Sequence, residues 1–229
     1  MKPLLLLHGA LGSENQFQFL KGALSSEGFS PLTLNFTGHG GKALDGEFGI
    51  EQFGADVIEF LKISRIQSVD IFGYSMGGYV ATWLAWRYPD IIDRVMTLGT
   101  KFDWSPETAS KEVRKLDPDK ILEKVPAFAA ILRKRHHPSD WKRLLNKTSD
   151  MMLSLGDLPL LNEEKLSEIN QTILVALGDA DDMADRAYSE KVAEIIPNGK
   201  FLLLDNTPHA IEKVNVATIV SLLRAFLGR

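Results

Sequence analysis

The chain has 229 residues, 45% of them hydrophobic, enough to bury a sizeable core as one α/β domain carrying an insertion. A formal charge of −4 leaves no overall basic surface and argues against nucleic acid as the main partner, which favours small molecules or proteins. There is no cysteine, so disulfides, thiolate nucleophiles and cysteine-ligated metals are excluded, and any chemistry must use oxygen or nitrogen groups.

The N-terminal Met1-Lys2-Pro3 followed by Leu4 to Leu7 has the look of a leader, but the apolar run stops at His8-Gly9 and reads as a first strand, Pro3 to Leu7. It is followed by the loop His8-Gly9-Ala10-Leu11-Gly12-Ser13, a helix over Asn15 to Ser26 and a strand over Pro31 to Phe36. Thr37-Gly38-His39-Gly40 then makes a shaped loop, and Ile50 to Ile63 is the next helix. No apolar run nears bilayer-spanning length, so a soluble, cytoplasmic protein without a membrane partner is expected.

The third strand, Val69 to Phe72, leads into Gly73-Tyr74-Ser75-Met76-Gly77 and a helix over Met76 to Tyr88. A serine at so sharp a strand-to-helix turn is held in a strained backbone conformation, and Gly73 and Gly77 remove the clashes that bulkier neighbours would make. The turn lifts the Ser75 hydroxyl clear of the sheet and leaves the Met76 N–H at a helix N-terminus, where it can face developing negative charge.

After a fourth strand, Arg94 to Leu98, residues 101–170 break the rhythm: they lack strands and are rich in charge and helix formers. They read as an inserted helical cap with helices over Lys111 to Leu116, Ile121 to Arg133, Trp141 to Leu155 and Glu163 to Ile169. The core is then 1–100 plus 171–229. Phe102, Trp104, Phe128 and Trp141, with Met151, Met152 and Tyr74 of the turn, are candidate pocket residues; the cap aromatics and methionines equally suit gluing the cap to the core. Arg133, Lys134, Arg135, Lys142, Arg143 and Lys147 crowd one stretch with Asp140 as the single acid, which is either a solvated helix face or a dock for an anionic or carrier-linked partner such as coenzyme A or acyl carrier protein. The adjacent His136 and His137 cannot easily share one ion, so no metal is expected.

Strands Thr172 to Leu177 and Phe201 to Leu204 flank a helix over Ala184 to Ile196, and Ala210 to Leu227 closes the chain. Strands alternating with helices predict a mostly parallel, six-stranded sheet covered on both faces. Of the five histidines, His209 lies beyond the last strand, after Asp205-Asn206-Thr207-Pro208, at the same sheet edge as Ser75. Asp181, in Gly178-Asp179-Ala180-Asp181-Asp182, is the candidate carboxylate to orient it, with Asp179 and Asp182 as alternatives. The loop after the first strand brings the Ala10 N–H to that edge, so Ala10 and Met76 are candidate oxyanion donors, while His8 reads as a structural residue of its loop.

Together the His8-Gly9 loop, Gly38-His39-Gly40, the Ser75 turn, Gly178-Asp179-Ala180-Asp181 and the late His209 resemble the α/β-hydrolase superfamily over essentially the whole chain. Within it, the chain looks like the compact esterase and thioesterase branch that also holds the lyase of menaquinone synthesis. It departs from larger members in starting at the strand that bears the His8 loop, and in reading Asn35-Phe36-Thr37 where relatives carry an Asp and a Pro. The resemblance implies a serine hydrolase cleaving a carboxylic ester or thioester through an acyl-enzyme, without a cofactor. The alternatives are a lyase in which Ser75 and His209 abstract a proton, and a non-catalytic ligand-binding homologue.

Overall fold

In the computed structural model, which describes residues 2–228, the strands are β1 (Pro3–Leu7), β2 (Ser30–Thr33), β3 (Val69–Tyr74), β4 (Ile92–Leu98), β5 (Thr172–Ala180) and β6 (Gly199–Pro208). Met1 and Arg229, the outermost positions of the expected core, lie outside the described residues. Among the described residues the six strands form one sheet in the order β2-β1-β3-β4-β5-β6, with every neighbouring pair parallel. Parallel strands need crossovers, and these put helices on both faces.

The leucines of β1 show how the faces divide. Leu4 and Leu6 join α1 (Gln18–Ser26) and α10 (Val216–Leu227) in one core, with Leu20, Leu24, Ile219 and Leu223. Leu5 and Leu7 face α2 (Ile50–Ile63), α3 (Met76–Arg87) and α9 (Arg186–Ile195), through Phe53, Val57, Val80, Leu84 and Val192. A strand buried on both sides is apolar at every position rather than at alternate ones, hence the unbroken leucine run.

Several boundaries differ from expectation for identifiable reasons. The expected first helix opens as a 3-10 turn, Glu14–Phe17, and the last is interrupted by a 3-10 turn, Ile211–Lys213, before α10 begins with the Asn215 side chain capping Ala217 N–H. The residues expected to form a loop before His209 belong to β6, which runs on to Pro208 and pairs it with Ala180 beyond a register shift after Gly178.

Between β4 and β5 lie five helices: α4 (Pro106–Val113), α5 (Pro118–Lys124), α6 (Pro126–His136), α7 (Trp141–Asp157) and α8 (Glu163–Ser167). The helix expected from Ile121 to Arg133 is two, because Pro126 has no N–H to donate and Val125 before it sits outside the helical region at φ −137°, ψ 59°. The helix expected from Lys111 starts earlier, at Pro106, where Ser105 and Thr108 form a reciprocal capping box. A separate small core of Leu11, Leu44, Ala129, Leu132, Trp141 and Leu144 joins these helices to the loops after β1 and β2.

Candidate active site

Strand order reverses between β1, which lies beside β2, and β3 on its other flank, so the loops leaving β1 and β3 diverge around a crevice at the C-terminal edge of the sheet. Ala10 follows one strand and Ser75 the other. Ser75 has φ 52° and ψ −119°, a conformation that L residues rarely adopt, and it is pinned there by its N–H to the Leu98 carbonyl (2.9 Å) and by the Thr100 hydroxyl to its own carbonyl (3.0 Å). A methyl group on Gly73 would lie 2.5 Å from the Gly77 carbonyl and the Gly78 Cα, so the tight turn requires glycine there.

The Ser75 Oγ lies 3.2 Å from Nε2 of His209, whose Nδ1 is 2.8 Å from Oδ2 of Asp181. An ionised carboxylate only accepts hydrogen bonds, so Nδ1 carries the proton and Nε2 presents its lone pair to the serine hydroxyl. Asp181 is 1% exposed in its side chain, and its other oxygen accepts the Met183 and Ala184 N–H groups at 2.9 and 3.1 Å. Those donors stabilise the charged carboxylate and hold it against the imidazole. The two alternatives are elsewhere: Asp179 accepts from Thr207 N–H at 3.2 Å and is exposed, as is Asp182.

Met76 opens α3, so its N–H has no intrahelical acceptor, and both it and Ala10 line the cavity above Ser75. This cavity has a volume of about 610 Å³. Tyr74, Trp104 and Phe128 line it with Met151, Met152 and Leu155. Burial pushes the Tyr74 phenol above its ordinary value, so it stays neutral beside His209, with ring centroids 5.5 Å apart. Two expected pocket residues do not line the cavity. Phe102 is buried in the main core with its ring 5.9 Å from Tyr79, and Trp141 is buried with Leu144 on the face of α7 that packs against Leu132 of α6.

Groups that the motif pattern did not reveal also line the cavity: Gln16, Lys101, Glu112, Lys115, Arg135 and Glu212. Lys101 pairs with Asp103 at 2.9 Å, Lys115 with Glu112 at 2.8 Å and Arg135 with Glu212 at 3.6 Å. Two further cations of the basic stretch are likewise met by distant acids, Lys142 by Asp119 (2.9 Å) and Arg143 by Asp45 (3.4 Å). Gly99, which belongs to no motif, sits at φ 63° behind the array, where an added methyl would come 2.8 Å from Oδ2 of Asp181.

The other buried histidines serve the loops. His8 Nδ1 donates to Gly9 O (2.8 Å) and Nε2 accepts from Phe36 N–H (3.3 Å); His39 Nδ1 donates to Thr37 O (3.1 Å) and Nε2 accepts from Leu11 N–H (3.3 Å). His136 uses the opposite tautomer, with Nε2 donating to Leu11 O (3.0 Å) and Nδ1 accepting from Gly40 N–H (3.1 Å). Burial pushes His8 down to about 3 and His136 to about 4, and His39 well below its usual value.

A profile of the alpha/beta hydrolase fold matches residues 2–212. The chain belongs to that family. It is 23% identical over 229 aligned positions to the putative carbamate hydrolase RutD of Agrobacterium fabrum, covering 91% of this chain and 87% of that protein. It is 35% identical over 97 residues to the sn-1-specific diacylglycerol lipase ABHD11 of Xenopus tropicalis, a match that covers 42% of this chain and spans 30% of the relative's length. The enol-lactonase structure from Burkholderia xenovorans LB400 superposes with a TM-score of 0.79 at 22% identity, over all of this chain and 92% of that one, which shows the shared fold. Among the described residues, no helix of this α/β hydrolase is long and apolar enough to cross a membrane.

Proposed function

We propose that this α/β hydrolase cleaves carboxylic esters or thioesters through Ser75, His209 and Asp181, and that an acyl-enzyme is the intermediate. The observation that carries the reading is the hydrogen-bonded array itself: Ser75 Oγ 3.2 Å from His209 Nε2, with the other imidazole nitrogen 2.8 Å from a buried carboxylate, beneath an apolar cavity. His209 takes the hydroxyl proton as Ser75 Oγ bonds to the carbonyl carbon, and the carbonyl oxygen, now an anion, is met by the Ala10 and Met76 amides. Collapse breaks the bond to the leaving alcohol or thiol, which receives the proton from His209. Water, deprotonated by the same imidazole, then releases the acid and regenerates Ser75. Asp181 holds the tautomer and stabilises the imidazolium while it lasts.

The charges around the cavity favour a neutral acyl substrate. Lys101, Lys115 and Arg135 each stand beside a carboxylate, Asp103, Glu112 and Glu212 respectively, so the wall offers no excess of free cations to a multiply anionic molecule. That weighs against the lyase alternative, and the complete array weighs against a purely ligand-binding role. The activities named for the relatives (lipase, carbamate hydrolase, enol-lactonase) are all attacks on an acyl-type carbonyl, in keeping with this reading. The test is hydrolysis of a chain-length series of p-nitrophenyl esters and acyl-coenzyme A thioesters by the wild type and Ser75→Ala. Turnover that disappears with Ser75 is expected; turnover unchanged in Ser75→Ala, or none on any acyl substrate, would overturn it.

A further inference from the structure

Helix α6 ends in Arg135 and His136, and both reach out of the insert to a single backbone carbonyl, that of Leu11: Arg135 Nη1 at 2.8 Å and His136 Nε2 at 3.0 Å. Leu11 has φ 58°, unusual for a residue with a branched side chain, so it needs to be held there. Its N–H is held from the other side by His39 Nε2 at 3.3 Å, and its side chain is buried in the insert's own core. His136 also receives Gly40 N–H at 3.1 Å, which ties the loop after β2 to the same point.

Leu11 follows Ala10, and peptide planarity carries the restraint across. The Leu11 carbonyl that Arg135 and His136 hold shares its peptide plane with the Gly12 N–H, while the Leu11 N–H held by His39 shares its plane with the Ala10 carbonyl. The plane on the other side of Ala10 contains the Ala10 N–H and the Gly9 carbonyl, which is held by His8 Nδ1 at 2.8 Å and by Gly12 N–H at 3.1 Å. In a trans peptide the Ala10 N–H points opposite to that carbonyl. Arg135 further joins Glu212, three residues beyond His209, at 3.6 Å. One helical turn of the insert thus touches the loops on both sides of Ser75.

We propose that Arg135 and His136 are positioning residues that clamp Leu11 and so aim the Ala10 amide, making the seating of α6 and the completion of the oxyanion hole a single event. The inference rests on the ester-hydrolase reading, and it assigns to the insert a part in the rate of reaction as well as in covering the cavity. A clamp of this kind acts on the transition state, whose oxyanion needs the amide, more than on the bound ester.

The experiment compares wild type, His136→Ala, His136→Gln and Arg135→Gln on p-nitrophenyl butyrate, with thermal melting as a check on folding. It also measures inhibition by an alkyl trifluoromethyl ketone, whose Ser75 adduct carries an oxyanion. His136→Ala should lose about 10- to 100-fold in kcat with KM moving by less than about threefold, and ketone affinity should weaken by the same factor as kcat/KM. His136→Gln, which retains a donor for Leu11 and an acceptor for Gly40, should recover most of the loss. Arg135→Gln should lose about threefold or more in kcat without a drop in melting temperature. A folded His136→Ala with kcat within about twofold of wild type, or a loss confined to KM with ketone affinity intact, would overturn the proposal. If His136→Ala does not fold, an unchanged kcat in Arg135→Gln overturns it instead. No Ser75-dependent turnover in the wild type would remove the hydrolase reading and this inference with it, whereas wild-type turnover with unaffected variants removes the inference alone.

Discussion

Lowering the pH from 7 to 5 should remove about 4 kcal/mol of folding stability through His8 and His136 alone. Both are fully buried and hydrogen-bonded as neutral rings, with burial the largest cause of their depressed values of about 3 and about 4. The unfolded chain binds these protons near the ordinary 6.5, so below that pH it holds more protons than the folded chain, and stability falls as pH falls. At pH 5 each ring is about 1.5 pH units below its unfolded value, and at about 1.4 kcal/mol per unit each costs about 2 kcal/mol. His39 acts in the same direction, and the charged group facing all three rings is Arg135, which further opposes protonation. Against a typical total of about 5–15 kcal/mol, the effect should be plain in urea unfolding followed by circular dichroism at pH 7.5, 6 and 5. His136→Gln should reduce the proton uptake on unfolding at pH 5 by about one. A midpoint that stays constant or rises between pH 7 and 5 would refute the reasoning. Nitrogen-15 NMR gives an independent check, since His8 and His39 should appear as Nδ1–H tautomers and His136 as Nε2–H.

Three further outcomes follow from the site. Asp181→Asn should keep the fold but lower kcat by about 10²- to 10⁴-fold, because the amide no longer selects the Nδ1–H tautomer of His209, while Asp179→Asn and Asp182→Asn should stay within about threefold; steady-state kinetics on one ester decides it. Gly99→Ala places a methyl 2.8 Å from Asp181 Oδ2 at φ 63°, and should cost about 1–2 kcal/mol in urea unfolding together with a loss in kcat of at least about tenfold. Met151→Trp should fill the cavity and shift the preferred acyl length downward across the p-nitrophenyl series with short esters little affected; an unchanged optimum would place the acyl chain elsewhere.

The parts of this chain readable in one dimension are those whose cause is local. Ser75 could be placed because a strained residue needs Gly73 and Gly77 around it, and the leucines of β1 because a strand covered on both faces has no polar position. The order Ser75, Asp181, His209 follows from which strand each residue leaves, and all parallel strands end at one edge. Asp179, Asp181 and Asp182 are not told apart by local pattern, since neighbouring acids differ only in where the register shift between β5 and β6 leaves each carboxylate; Asp179 faces Thr207 and Asp181 faces His209.

The helices between β4 and β5 show where such reading stops. Helix formers and prolines in residues 101–170 mark helices, yet nothing in the spacing says that Trp104 lines the cavity while Phe102, two residues earlier, is buried against Tyr79. The spacing of the basic cluster does not show which of its cations are paired, and only the fold brings Glu212 to Arg135, Asp119 to Lys142 and Asp45 to Arg143. His136 offered no motif at all, because its partners are the backbone of Leu11 and Gly40, about a hundred positions away. A turn or strand end is decided by neighbours a few residues apart and leaves its mark in adjacent letters. Which helix faces meet, and which buried ring finds which carbonyl, is decided by long-range packing, in which any apolar face has many partners of similar energy until the whole chain is folded.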